Sequence, residues 1–183
     1  MKRFILALCC LLCLGSLAFA QRVTVGRISF DLAPGYSVQA RSQLQDGEAC
    51  LITPDNNPSN DRLIIKIHPD ALAGINGMTS EEAGEMMRSY VDDLAGVLAD
   101  KEKSGNTLSN PYKIHFEDST NGYFPHCYSY VNGKDKNGKA FRSYTEAVII
   151  KRKVISGCAI AHDEGELMAL TEIFHDLVAE AAE

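Results

Sequence analysis

Three runs decide the fold: YFPHCYSYV (123–131), AFRSYTEAVII (140–150) and VISGCAIA (154–161). β-Branched and aromatic residues dominate them, as they do in strands that pack against neighbours on a pleated surface. Between the first two lies Asn132-Gly-Lys-Asp-Lys-Asn-Gly138, a hairpin tip rich in residues that accept positive φ. Lys151-Arg152-Lys153 turns the chain again before the third. The three runs therefore read as an antiparallel meander. Just upstream, Tyr112, Ile114 and Phe116 alternate with Lys113, His115 and Glu117, which is a half-buried strand by period two, and Asn121-Gly122 is the turn that follows it. Downstream, Asp163 and Glu166 have the spacing of a capping box, and Leu167, Leu170, Phe174, Leu177, Val178 and Ala181 recur on one side of a closing helix.

The earlier half supplies material that widens and covers this sheet. Val23, Val25, Ile28 and Phe30 alternate in two short strand patterns, with Gly26 permitting a bend. Pro34-Gly35 turns the chain, and residues 36–40 return as the expected hairpin partner. A short strand follows around 49–53, then a loop over 54–62 that holds two Pro and three Asn. Leu63 to Ile67 has four aliphatics in five positions, the pattern of a central strand covered on both faces, and His68-Pro69 ends it. Gly74 and Gly77 keep the next stretch irregular. Thr79 and Glu82 are spaced as a capping box for a long helix, whose predicted buried stripe is Ala83, Met87, Tyr90, Leu94 and Val97 with Met86, Val91 and Leu98 alongside. Ser104-Gly105-Asn106 closes that helix. The fold class is α+β: an antiparallel sheet, made of the meander plus an N-terminal hairpin, covered by two long helices.

The first twenty residues set the compartment. Lys2 and Arg3 precede an apolar run over 4–14, and Ala18-Phe19-Ala20 is a small-x-small cleavage site, so residues 1–20 read as a secretory signal peptide cut between Ala20 and Gln21. The run is shorter than the roughly 20 residues a membrane span needs. Cys9, Cys10 and Cys13 follow Leu8, Cys9 and Leu12, which does not match the small residue that precedes a lipidated cysteine. Residues 21–183 then form one domain, expected to be periplasmic or secreted, with no transmembrane segment in the mature chain. Losing Lys2 and Arg3 leaves 16 basic against 24 acidic residues, a net charge of −8. An acidic chain without a basic tract is a poor binder of nucleic acid.

Cys50, Cys127 and Cys158 remain after cleavage. In the meander Cys127 and Cys158 sit on strands separated by the middle one, two spacings or about 9.6 Å apart. A disulfide needs Cα atoms within about 7 Å. A bridge, if one forms in an oxidising compartment, therefore uses Cys50 with Cys127 or Cys158.

No catalytic residue is assigned. The sequence holds no Gly-x-Ser-x-Gly, no P-loop and no Gly-x-Gly-x-x-Gly. No cofactor is implied, and no metal site, since the five histidines lack HxxxH, HExxH or HxH spacing. Glu172 and His175 read as a solvated helix flank, and His162-Asp163-Glu164 as a strand end running into a helix cap. Adjacent strand residues point to opposite faces, so His126 cannot serve Cys127 as a catalytic base. His126, Tyr128 and Tyr130 do share a face; sheet aromatics of this kind read first as cross-strand packing, and if the face is uncovered they are the expected ligand-binding surface.

The order of elements, with the Pro34-Gly35-Tyr36 turn and the Asn137-Gly138-Lys139 tip, resembles the PsbP-like fold, a group that includes the oxygen-evolving-complex subunit PsbP and DcrB-type envelope proteins. The resemblance spans nearly the whole mature chain and implies an α/β/α sandwich. It also implies an exported, non-enzymatic accessory or interaction protein of the bacterial envelope, whose partner is an envelope protein. An alternative is a small-ligand-binding or hydrolytic domain with a cleft near His126, Tyr128, Tyr130 and His162. A third is a cystatin- or NTF2-like domain, in which the sheet curls around one helix.

Overall fold

The alternating runs form ten strands in the computed structural model, which describes residues 20–45, 47–69, 71–72, 77–118 and 124–183. Residues 1–19 of the expected signal peptide at 1–20, Gly74, the expected Asn121-Gly122 turn and Tyr123 lie outside the described residues. β3 (Tyr36–Gln43), β4 (Glu48–Pro54) and β5 (Arg62–His68) make one meander. β8 (His126–Lys134), β9 (Ala140–Ile150) and β10 (Lys153–Ala161) make the second. The two join where β5 pairs antiparallel with β10, giving the order β3-β4-β5-β10-β9-β8. β6 (Thr107–Leu108) and β7 (Ile114–Glu117) share the outer edge of β8.

β1 (Gln21–Val25) and β2 (Ile28–Leu32) form a separate hairpin, turned by Gly26 and Arg27 at φ of 52° and 69°. Positive φ at both central residues is the type I′ pattern that suits strand twist. This hairpin corrects one expectation. Residues 36–40 do not pair with β2, because β2 folds back on β1 and β3 pairs with β4. Alternation marks a strand but not its neighbour, and the two-residue turn closes the first hairpin before Pro34 is reached.

Among the described residues the helices are α1 (Ser80–Ala99), a single turn α2 (Lys101–Ser104) and α3 (Glu164–Ala182). On one face α1 lays Met87 and Val91 on Cys127 and Ala147, and Leu94, Ala95 and Leu98 on Val131, Phe141 and Ile160. On the other, Leu170, Phe174 and Leu177 of α3 meet Leu63, Ile65, Ile67 and Ile155, with Phe30 and Leu32 of the hairpin closing the layer. Each fully buried side chain of this kind contributes about 1.5–3 kcal/mol relative to leaving it in water. The molecule is thus an α+β sandwich with an antiparallel sheet between two long helices, as expected. Among the described residues, no helix is long and apolar enough to cross a membrane.

Two helix details differ from the sequence reading. Val97 is 54% exposed, and the buried stripe runs instead through Gly84, Met87, Val91, Leu94, Ala95 and Leu98. At α1 the Thr79–Glu82 capping box is complete. At α3 only half of one forms: Asp163 accepts the Glu166 backbone N–H at 2.8 Å, while the Glu166 carboxylate takes the Tyr36 hydroxyl, also at 2.8 Å. A long-range partner outcompetes the local one.

Cys50, Cys127 and Cys158 are free and buried. The expected bridge of Cys50 with Cys127 or Cys158 is not made. Cys50 packs in the layer under α3, whereas Cys127 and Cys158 pack under α1, so the sheet itself lies between them. Cys127 and Cys158 also stay apart, opposite Ala147 and Thr145 on the two sides of β9.

Candidate functional site

α3 lies over β5, β10 and β9 and leaves the β8 margin beyond it. Period two sends His126, Tyr128 and Tyr130 out of that margin, on the α3 side, while Cys127, Ser129 and Val131 are buried beneath α1. The register extends this face in both directions: His115 and Glu117 on β7 lie beside Tyr128 and His126, and Glu146 and Tyr144 on β9 lie beside Tyr128 and Tyr130. The rings touch in series. His115 and His126 stack against Tyr128 at 5.3 and 5.5 Å between centroids, and Tyr130 meets Tyr144 at 4.9 Å. Cross-strand aromatic pairs of this kind stabilise a sheet and stiffen the surface they make.

Glu146 is the unexpected member. It is 0% exposed, and its Oε2 accepts the Tyr144 hydroxyl and the His175 Nε2–H, each at 2.9 Å. Its neighbour on β10 is Gly157, where a Cβ would lie 2.4 Å from the Phe174 ring. The missing side chain lets α3 approach the sheet there, and the next residue along the helix, His175, reaches Glu146. His175 is therefore a hydrogen-bonding partner of a buried carboxylate, not only a solvated flank. Its signal in the sequence was the single acid within Thr145-Glu-Ala-Val-Ile-Ile150, an apolar strand with no reason to bury a charge unless paired.

Met168, Glu172 and His175 recur at steps of four and three along α3 and face Tyr130 and Tyr144 across a groove of about 390 Å³. Tyr130 is 60% exposed and Met168 is 68% exposed. Glu117 holds the other end of the face: it accepts the Tyr128 hydroxyl at 2.7 Å, which raises the Tyr128 pKa, and stands 3.9 Å from His126 Nε2. On α3, burial holds the Asp176 carboxyl above the usual range, and the charge of Glu172 one turn earlier adds to the effect.

Of the expected ligand surface, then, His126, Tyr128 and Tyr130 share one face, and only Tyr130 reaches the groove. His162 belongs to the opposite end. It shares with Tyr130 a cleft of about 700 Å³ that also includes Arg142 and Glu164, an ion pair at 2.5 Å. Its ring is turned inward: Nδ1 donates to Asp61 at 2.6 Å, and Asp61 also accepts its backbone N–H at 3.1 Å. That pair ties the loop before β5 to the start of α3. Among the described residues no three His, Cys, Asp or Glu side chains are placed to share a metal ion.

No protein-family model matches the chain, and no curated protein does. Among solved structures, the chain is similar to the solution structure of cyanobacterial PsbP (CyanoP) from Synechocystis sp. PCC 6803, at 12% identity and a TM-score of 0.43, over 91% of this chain and 93% of that one. The likeness is one of fold.

Proposed function

We propose that residues 21–183 are an exported, non-enzymatic accessory protein of the bacterial envelope, a single domain that holds a partner protein on the aromatic margin of its sheet. The observation that carries this reading is the groove between β8 and α3, where Tyr130 and Met168 stand out side by side at 60% and 68% exposure. Exposed aromatic and Met side chains on a stiff scaffold are what protein interfaces are enriched in. Export rests on Lys2, Arg3, the apolar run and Ala18-Phe19-Ala20. N-terminal sequencing of the protein recovered from outside the inner membrane should begin at Gln21.

Photo-crosslinking in cells tests the surface. A photoreactive residue at 130 or 168 should capture a specific protein, and one at 97, on the opposite layer, should not. Equal capture from all three, or none from 130 and 168, would overturn the proposal. A second reading has its own support: the Tyr130–His162 cleft is of a size that small-molecule sites have. A small ligand bound there would be lost in Arg142→Ala and kept in Glu117→Gln.

A further inference from the structure

We infer that the aromatic margin recognises a cationic side chain, arginine above all, presented on an exposed segment of the partner. This deepens the reading of that margin as the partner-binding surface and rests on it. The first ground is the rings. Tyr130 and Tyr144 stand 4.9 Å apart, tilted by 43°, and both line the groove. Ring faces carry negative potential and attract a cation placed within about 6 Å of the centroid.

The second ground is charge. Glu172 hangs over the same groove from α3 and pairs with no basic side chain among the described residues. Asp176 follows it at i+4, where two like charges oppose each other and destabilise a helix. Glu117 stands at the far end of the aromatic face. Arg142, which lines the neighbouring cleft with Tyr130 and Met168, is already committed to Glu164. Glu172 thus faces the exposed ring of Tyr130 across a groove with space for a cation between them.

A guanidinium matches that pair of features better than an ammonium does. It is planar, so it can lie against a tyrosine ring, and its donors extend in a fixed fork that a carboxylate accepts from the side. With the cation over Tyr130 or Tyr144, its donors point toward Glu172. The aliphatic stem of the same arginine would lie along Met168, which explains an exposed thioether beside the rings.

The test uses the purified exported protein and two acetylated, amidated peptides: Gly-Arg-Gly-Arg-Gly, and its counterpart with citrulline, an uncharged isostere, at both arginines. Ring resonances of Tyr130 and Tyr144 are followed by NMR. The arginine peptide should shift them saturably, and the citrulline peptide should bind at least about fivefold more weakly. Tyr130→Ala and Glu172→Gln should each weaken binding about threefold, in line with an exposed cation–π contact, and raising the salt should weaken it further. Glu102→Gln, remote on α2, should leave it unchanged. Equal shifts with both peptides, or shifts that leave these rings untouched, would overturn the inference. A partner crosslinked at position 130 through a segment without Arg or Lys would also overturn it while leaving the partner-binding reading intact. Arginine-peptide binding at these rings, with no protein captured from 130 or 168, would support the inference and sink that reading.

Discussion

Three buried thiols give this chain a particular response to alkali. Burial pushes Cys50 up to about 12 and Cys158 to about 11 from the ordinary 9.0, and raises Cys127 as well. The folded state therefore holds its thiol protons more tightly than the unfolded chain. Stability from this source is complete below pH 9 and is lost as pH climbs from 9 through the folded values. Cys158 alone, two pH units up, should cost on the order of 2 kcal/mol by pH 11. Urea midpoints should stay level to about pH 9 and then drop, and a midpoint that holds through pH 11 would refute the account. Gly157 is equally exacting. Gly157→Ala sets a methyl 2.4 Å from the Phe174 ring, so the helix must lift. The expected loss is about 1–3 kcal/mol in unfolding free energy, accompanied by loss of the His175–Glu146 hydrogen bond in the His175 ring spectrum. Gly157 could not be singled out from the sequence as critical, because its importance depends on the helix laid across it, whereas Glu146 stands out as the single acid of an apolar strand. The cysteine pairing failed for a related reason. Counting along one meander placed Cys127 and Cys158 well, but Cys50 lies on the other meander, and its face depends on a register that no local pattern records.

Elements were easier to read than their partners. Period 3.6 found both long helices, and the turns found the strand ends, because those signals are local. What competes with a local signal is a partner far along the chain, and the two helix starts illustrate it. In α1, Thr79 and Glu82 serve each other, so Thr79→Ala should cost about 1 kcal/mol, and a double-mutant cycle in urea should find the two side chains coupled. In α3, Glu166 is bound to Tyr36 instead. The Asp163/Glu166 cycle should therefore give no coupling, while Tyr36/Glu166 should give about 1 kcal/mol. Equal coupling in the Thr79/Glu82 and Asp163/Glu166 cycles would contradict the geometry. Val97 continues the spacing from Tyr90 and Leu94, which predicts it in the buried stripe. It is exposed because the Gly84–Leu98 side of the helix, rotated slightly from that line, is the side that meets the sheet.

At the scale of the whole molecule, the layering was legible: apolar alternation on both strand faces, together with two amphipathic helices, allows little except a sheet covered twice. The open margin was legible only as a question, since which strand a helix leaves bare depends on where it lands. The join between β5 and β10 has the widest reach. Its paired residues are 86 positions apart from His68 to Val154 and 98 apart from Arg62 to Ile160. A chain ending at residue 150 would lack β10 and α3, and should aggregate and give no cooperative urea transition, whereas the full chain should give one. Time adds a further consequence. The chain is made from its N-terminus, so Leu63-Ile-Ile-Lys-Ile67 appears long before the strand that will cover its edge. Distant pairings of this kind fold slowly, because the loop must close before the contacts are gained. Until Ile160 arrives, β5 presents an uncapped, sticky template to every other chain nearby. The newborn polypeptide should depend on a holdase chaperone across that interval.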